Sequence, residues 1–353
     1  MSNDALAPDG QPFQLTVLQN RHGMHVTLMD WGATWLSCQL PLSEDETREV
    51  LLGCQPGQYP HQSAYLGASV GRYANRIAHA TLQQGNSVIA LHANQGTHQL
   101  HGGPQGFHAR RWRIVEQQAD QVIYQLSSPD GDQGFPGALT AHVHYQLTEQ
   151  NALEIEYQAV VDKPCPVCLT NHAYFNLDGS ISDVRQHRLQ LMADYYLPVG
   201  SDGIPLYGLR DVTASSFDFR QPKTLQQDFL ADADQRAVGG YDHAFLLHRN
   251  GDAQTSPVAS LWSADSRVQM QVYTSAPALQ LYTGNFLAGT PSREGGCYEN
   301  HAGVALESEF LPDSPNHPDW PQPDCWLTPG KHYRALTRYA FSVHPADSQP
   351  PCD

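Results

Sequence analysis

Apolar and polar residues alternate at period two wherever the chain carries a clear pattern. Val143, Tyr145 and Leu147 are separated by polar residues, and beyond Glu149-Gln150-Asn151 the spacing returns with Leu153, Ile155, Tyr157 and Ala159. Such alternation gives a strand one apolar face, and a short polar break between two such runs reads as a β-hairpin. The stretch 81–90, centred on Gln84-Gly85-Asn86, predicts a second hairpin. Val268, Met270 and Val272 alternate after a turn at Asp265-Ser266, and Tyr339, Phe341 and Val343 do so near the C-terminal end. Helical periodicity is scarce. The stretch 224–232, where Leu225, Phe229 and Leu230 would share a face, is expected to form a short helix. The 28 glycines and 25 prolines suit many short strands joined by turns. Strands do not alternate with helical stretches, which disfavours a parallel α/β fold, so the pattern predicts an all-β sandwich or barrel. No low-complexity linker and no fixed-period repeat divides the chain. One large antiparallel domain over 1–353 is expected, with 345–353 a frayed tail.

Composition narrows the function classes. The chain has 353 residues, 40 % of them hydrophobic and 16 % charged, in keeping with a folded globular protein. Its net charge is −16, and its only lysines are Lys163, Lys223 and Lys331. So acidic a surface has no sequence-independent route to nucleic acid and is repelled by anionic membranes. The first ten residues lack the basic and apolar regions of a secretory signal, and no apolar run approaches the ~18–20 residues of a membrane span. Seven scattered cysteines, an odd number, argue for reduced thiols and a cytoplasmic location. No obligate protein partner is predicted. The 18 histidines favour acid–base or metal chemistry without placing it.

Several segments could carry chemistry, and each has a plainer reading. Cys165-Pro-Val-Cys168 has redox or zinc spacing, but neither a thioredoxin-like context nor a second pair accompanies it, so two small residues at a strand end is preferred. Leu100-His101-Gly102-Gly103 lets a backbone approach a ligand or simply turn sharply. In 170–176 (TNHAYFN), a strand would place His172, Tyr174 and Asn176 on one face, a polar binding floor or an exposed sheet face. Asp242, beside His243, could bind a ligand or cap a turn. In 303–310 (GVALESEF), Glu307 and Glu309 share a face. A carboxylate with apolar neighbours is a candidate base, and two surface glutamates are the alternative. Of the two arginines in 71–77 (GRYANRI), Arg72 is read as a structural tie between loops.

Taken in order, the segments 71–77 (GRYANRI), 100–103 (LHGG), 171–177 (NHAYFNL), 241–245 (YDHAF), 282–287 (YTGNFL) and 305–307 (ALE) resemble the aldose 1-epimerases, or galactose mutarotases, of the bacterial hexose-metabolism type. The segments 312–318 (PDSPNHP) and 327–330 (LTPG) extend the resemblance, which runs from about residue 9 to 343. It implies a large antiparallel β-sandwich with a sugar cleft on the sheet. It also implies interconversion of the α and β anomers of free aldoses such as D-galactose and D-glucose, with no metal and no organic cofactor. Carried over by position, His172 matches the family's general acid and Glu307 its general base. Asn75, Arg76, His101, Tyr174, Asp242 and Gln280 match its substrate-binding positions. Glu309 matches no assigned role, and Cys168 departs from the pattern. The rival readings are a hexose-6-phosphate epimerase, whose dianionic substrate would favour clustered Arg or Lys, a non-catalytic sugar-binding module, and a metalloenzyme, for which no ligand spacing is evident.

Overall fold

A computed structural model describes residues 5–179, 183–248 and 255–345. The all-β expectation holds. Among the described residues, helix is confined to Ala233–Val238 and short 3-10 turns, and every ladder between strands is antiparallel. The longest sheet has nine strands, in the order Arg113–Gln117, Gln121–Ser128, Leu139–Leu147, Ala152–Val161, Tyr333–Val343, Val268–Thr274, Ala259–Trp262, Arg188–Leu191 and Lys223–Thr224. The hairpin read from the alternation is at its centre, with Val143 opposite Tyr157 and Tyr145 opposite Ile155. Both apolar sets therefore fall on one face, where Val143, Tyr145, Ile155 and Tyr157 are all buried. The stretch 81–90 forms the second hairpin, with Gln84 opposite Ser87.

A six-stranded sheet lies across this one, in the order Tyr174–Phe175, Val304–Glu309, Ala278–Tyr282, Asp242–Leu247, Ala193–Tyr196 and Arg210–Asp211. Tyr339 of the larger sheet links the two. Its hydroxyl donates to the Leu306 carbonyl at 3.1 Å, and its ring packs 5.1 Å from that of Phe175. Val304 and Leu306, pointing back from the smaller sheet, join Tyr145, Tyr157, Tyr339 and Phe341 in one buried cluster that extends from Leu18 to Phe341. A four-stranded sheet of Leu15–Gln19, His25–Met29, Thr34–Pro41 and Thr47–Glu49 covers another side of that core.

Two local expectations are corrected. The stretch 224–232 is a chain of turns, with Asp228 and Leu230 both at positive φ, and the helix begins at Ala233. Asp232 ends the turns and caps the helix, accepting from the backbone amides of Asp234 and Gln235. The Gln235 side chain, reaching back to Leu230 N and Asp228 O, holds the turns in place. The stretch 170–176 is an interrupted strand. Thr170–Asn171 pairs with Ser69–Val70, whereas Tyr174–Phe175 pairs with Val304–Glu309. Of the expected tail, 346–353 lies outside the described residues. No helix among the described residues is long and apolar enough to cross a membrane.

Candidate active site

Register alone assembles the floor of the site. Gln280 is directly opposite Glu307, Tyr282 opposite both Ala305 and Asp242, and Tyr174 opposite Ala305. Directly opposed residues share a face, and so do residues two apart along a strand. Tyr174, Glu307, Gln280, Tyr282 and Asp242 therefore all project from one face of the six-stranded sheet, away from the core that receives Val304 and Leu306. They line a cleft of about 270 Å³, close to the lower end of the ~300–1,000 Å³ usual for small-molecule sites.

Loops supply the walls. Arg76–Ile77 pairs with Gln99–Leu100, which brings Asn75 and His101 together. The Asn75 amide donates to His101 Nδ1 at 3.1 Å, and the His101 amide donates to the Asn75 carbonyl at 3.0 Å. Neutral His101 thus carries its proton on Nε2. Asn75 has φ 64°, a conformation that Asn tolerates better than most side chains. Gly102, at φ 83°, needs glycine outright, because a Cβ there would lie 1.8 Å from the Gly71 carbonyl oxygen. This close backbone approach is what the Gly-rich turn provides. His172 is at the break in its strand, where its own amide donates to the Ala68 carbonyl and the Gly67 amide donates to its carbonyl. Its ring packs against His101, Tyr174 and Tyr65, at centroid distances of 5.2, 4.9 and 5.9 Å.

The central pair is His172 and Glu307, with Nε2 and Oε1 3.6 Å apart and side chains only 5 % and 3 % exposed. Burial pushes the His172 imidazole down to about 4. Burial also drives His101 well below the usual histidine range, helped by His172, Arg76 and His108. For Glu307 the direction is reversed. Burial, then the charges of Glu309 and Asp242, raise its carboxyl well above the usual range. At neutral pH both imidazoles are therefore neutral, and burial biases the carboxyl toward its protonated form. His172 Nδ1, Glu307 Oε2 and Gln280 Oε1 are buried without a protein partner. Asp242 accepts from Gln280 Nε2 at 2.6 Å and faces Arg76 Nη2 at 3.9 Å, while Arg76 Nε donates to Gln95 at 2.7 Å.

All eight residues singled out from the sequence line this cleft: Asn75, Arg76, His101, His172, Tyr174, Asp242, Gln280 and Glu307. Asn176, placed on the same face by the strand reading, does not. The strand breaks before it, and its side chain donates to the Ala302 carbonyl. Asp242 is in a strand rather than capping a turn. Arg72 is the structural tie expected, 2 % exposed and bonded to carbonyls of Ser128, Pro129, Pro136 and Gly137. Cys165 and Cys168 are separate buried thiols. The glutamates are not surface residues. Glu309, expected to have no part here, is buried and accepts from Asn75 Nδ2 at 2.7 Å. Tyr65, Gln95, Tyr282 and Phe286 also line the cleft. Tyr282 and Phe286 fall in the 282–287 motif, whereas Tyr65 and Gln95 lie in loops whose sequence carries no periodic signal. One ligand atom each from His101, His172 and Glu307 falls within a 4.8 Å cluster. His101 offers only Nε2 to such a cluster, because its Nδ1 already accepts from the Asn75 backbone amide.

The comparisons with known proteins agree with this geometry. The aldose 1-epimerase family pattern matches residues 14–340. The chain is 60 % identical over 338 residues to an aldose 1-epimerase of Escherichia coli K12, covering 96 % of this chain and 97 % of that protein. It is 35 % identical to human galactose mutarotase, covering 91 % and 92 %. Among solved structures, an aldose epimerase homologue from C. elegans superposes with a TM-score of 0.85 at 30 % identity, covering 94 % of this chain and 99 % of that one. A galactose 1-epimerase from Lactobacillus acidophilus gives 0.82 at 30 % identity, covering 95 % and 96 %. A family pattern that spans residues 14–340 and relatives aligned almost end to end make this protein a member of the aldose 1-epimerase family.

Proposed function

We infer that the cleft interconverts the α and β anomers of free hexoses such as D-galactose and D-glucose by opening and closing the ring, with Glu307 and His172 moving the protons. The observation that carries this reading is the buried 3.6 Å approach of His172 Nε2 to Glu307 Oε1. Mutarotation requires a base at the anomeric O1 and an acid at the ring oxygen O5, and both oxygens are bonded to C1. The acid and base must therefore be close neighbours. The pair needs one proton, and burial of the carboxyl favours holding it there. Transfer of that proton to His172 Nε2 creates a carboxylate base and an imidazolium acid at no change in net charge. Glu307 then takes the O1 proton, His172 protonates O5, and the C1–O5 bond breaks to leave the open-chain aldehyde. Rotation about C1–C2 turns the other carbonyl face to the O5 hydroxyl. Ring closure returns both protons, each group now in the other's role.

The remaining residues hold the sugar. His101 Nε2–H and Arg76 donate to oxygens that gain charge as the ring opens. Asp242 accepts from sugar hydroxyls, Gln280 Oε1 is a free acceptor, and the second Nδ2 hydrogen of Asn75 is a free donor. Tyr174 backs the catalytic imidazole. These contacts fix the ring between acid and base. Arg76 is the only Lys or Arg among the lining residues and already faces Asp242, which supports neutral sugars over hexose phosphates. A sugar-binding module would need the hydroxyl-binding groups but not a buried acid–base pair. We further propose one domain over 1–353, supported by the buried cluster from Leu18 to Phe341. The free cysteines among the described residues, all but Cys297 buried, support a cytoplasmic setting, and the net charge of −16 argues against nucleic acid or an anionic membrane as a partner.

Polarimetry of freshly dissolved α-D-galactose tests the reading. The protein accelerates the approach to equilibrium with EDTA present, and kcat/KM for galactose exceeds that for galactose 6-phosphate. Activity lost on chelation and restored by a divalent metal, or the reverse substrate ranking, refutes it.

A further inference from the structure

We propose that Glu309 is a positioning residue for this reaction, gripping Asn75 from beneath the cleft and setting a second carboxyl beside Glu307. The inference rests on the acid–base assignment above and adds to it a residue that does not line the cleft. Glu309 follows Glu307 by two on the strand Val304–Glu309, so both side chains leave the same face of the sheet. Glu307 opens into the cleft. Glu309, opposite Ala278, is 1 % exposed beneath the loop that carries Asn75.

Its first action is mechanical. Glu309 Oε1 accepts from Asn75 Nδ2 at 2.7 Å, and Asn75 Oδ1 accepts from the Arg76 amide at 2.9 Å. The Asn75 amide in turn donates to His101 Nδ1. One carboxyl thus fixes the residue that sets the His101 tautomer and begins the Arg76 segment. Displacing a reacting group by an ångström typically costs ~100-fold in rate, so losing this anchor slows turnover.

Its second action is electrostatic. The groups around Glu309 are Glu307 on its own strand, Cys168 and Tyr73 on packed segments, and Arg76 and Asp242 across the cleft. Cys168 and Tyr73 are both raised by burial and remain neutral. The Phe310 amide donates to Cys168 Sγ at 3.4 Å, closing the strand end against solvent. Burial pushes the Glu309 carboxyl up to about 8, against the pull of Asn75. Below that pH it is neutral, and Glu307 ionises without a like charge beside it. Above it, Glu309 is a buried anion on the same face, and the ionised form of Glu307 needed for proton removal from O1 becomes harder to reach. Turnover therefore falls as pH rises through about 8.

The test measures kcat and KM for galactose from pH 6 to 9.5, less the uncatalysed rate, for wild type, E309Q, E309L and N75A. The glutamine side chain of E309Q can still accept from Asn75 but cannot titrate. E309Q is expected to abolish the alkaline fall, which in wild type should be about tenfold. E309L should lower kcat ~10- to 100-fold at pH 7 and N75A by at least as much, and the double variant should be no worse than N75A alone. Wild-type kcat and KM in E309L, or an unaltered alkaline fall in E309Q, overturns the proposal. If E309L does not fold by circular dichroism, E309Q and N75A decide. An E307Q control separates the two inferences. Full activity in E307Q removes the acid–base assignment itself, whereas impaired E307Q with unaffected Glu309 variants removes only the role given to Glu309.

Discussion

Replacing Glu307 with glutamine probes the chemistry most directly. The side chain keeps its length and shape but cannot accept the O1 proton. General acid–base catalysis typically contributes ~10²–10⁴-fold, or roughly 3–5.5 kcal/mol of barrier. The structure places E307Q toward the upper end of that range. Glu307 is 3 % exposed and its Oε2 has no protein partner, so solvent has little room to supply a substitute base. The neighbouring proton acceptor is His172, which the proposed mechanism already assigns to O5. A kcat loss of about 10³-fold or more is expected, near 4 kcal/mol, with galactose KM changed far less because Asp242, Arg76 and Gln280 are untouched. H172N should lose kcat on the same scale. The double variant should lose less than the product of the single losses, because the two groups pass one proton between them. Polarimetric initial rates with α-D-galactose, alongside a binding isotherm, measure both quantities. Near-normal kcat in E307Q with a folded protein refutes the assignment. A loss confined to KM would make Glu307 a binding group only.

Other expectations follow from the same geometry. D242N and R76A should raise KM and lower kcat together, since both residues are proposed to hold the sugar and they face each other at 3.9 Å; wild-type constants in both variants would relocate the site. Glu307 and Glu309 are both raised in the folded state, so their contribution is fully present below the unfolded carboxylate pKa of 4.5 and is lost as pH rises through their folded values, about 8 for Glu309. The melting temperature of E309Q relative to wild type should therefore climb between pH 5 and 8, and a flat difference in calorimetry contradicts this. R72A strips a buried guanidinium from four backbone carbonyls. It should cost more than about 3 kcal/mol by denaturant unfolding, while the fraction that remains folded keeps the wild-type KM.

What the sequence determined by itself was considerable. Period-two alternation in 143–159, 268–272 and 339–343 fixed an antiparallel β fold, because a strand that buries one face must alternate. The ordered motifs named the family and eight of the residues that line the cleft. Local pattern could also show that Glu307 and Glu309 share a face, since that follows from the pleat alone. It could not show which way the face points or what covers it. Only the tertiary structure decided that Glu307 opens into a cleft while Glu309 is sealed beneath Asn75, because the covering loop is 234 residues away in the chain. The same limit explains the helix misplaced to 224–232. The apolar spacing there is real, but Gln235 binds Leu230 and Asp228 and holds the chain in turns that intrinsic preference does not foresee. The 3.6 Å meeting of His172 with Glu307 depends on a strand break at His172 and on the pairing of Tyr174 with Ala305. Both are long-range contacts, and a side chain's pKa, like its neighbours, is set by what the rest of the fold packs around it.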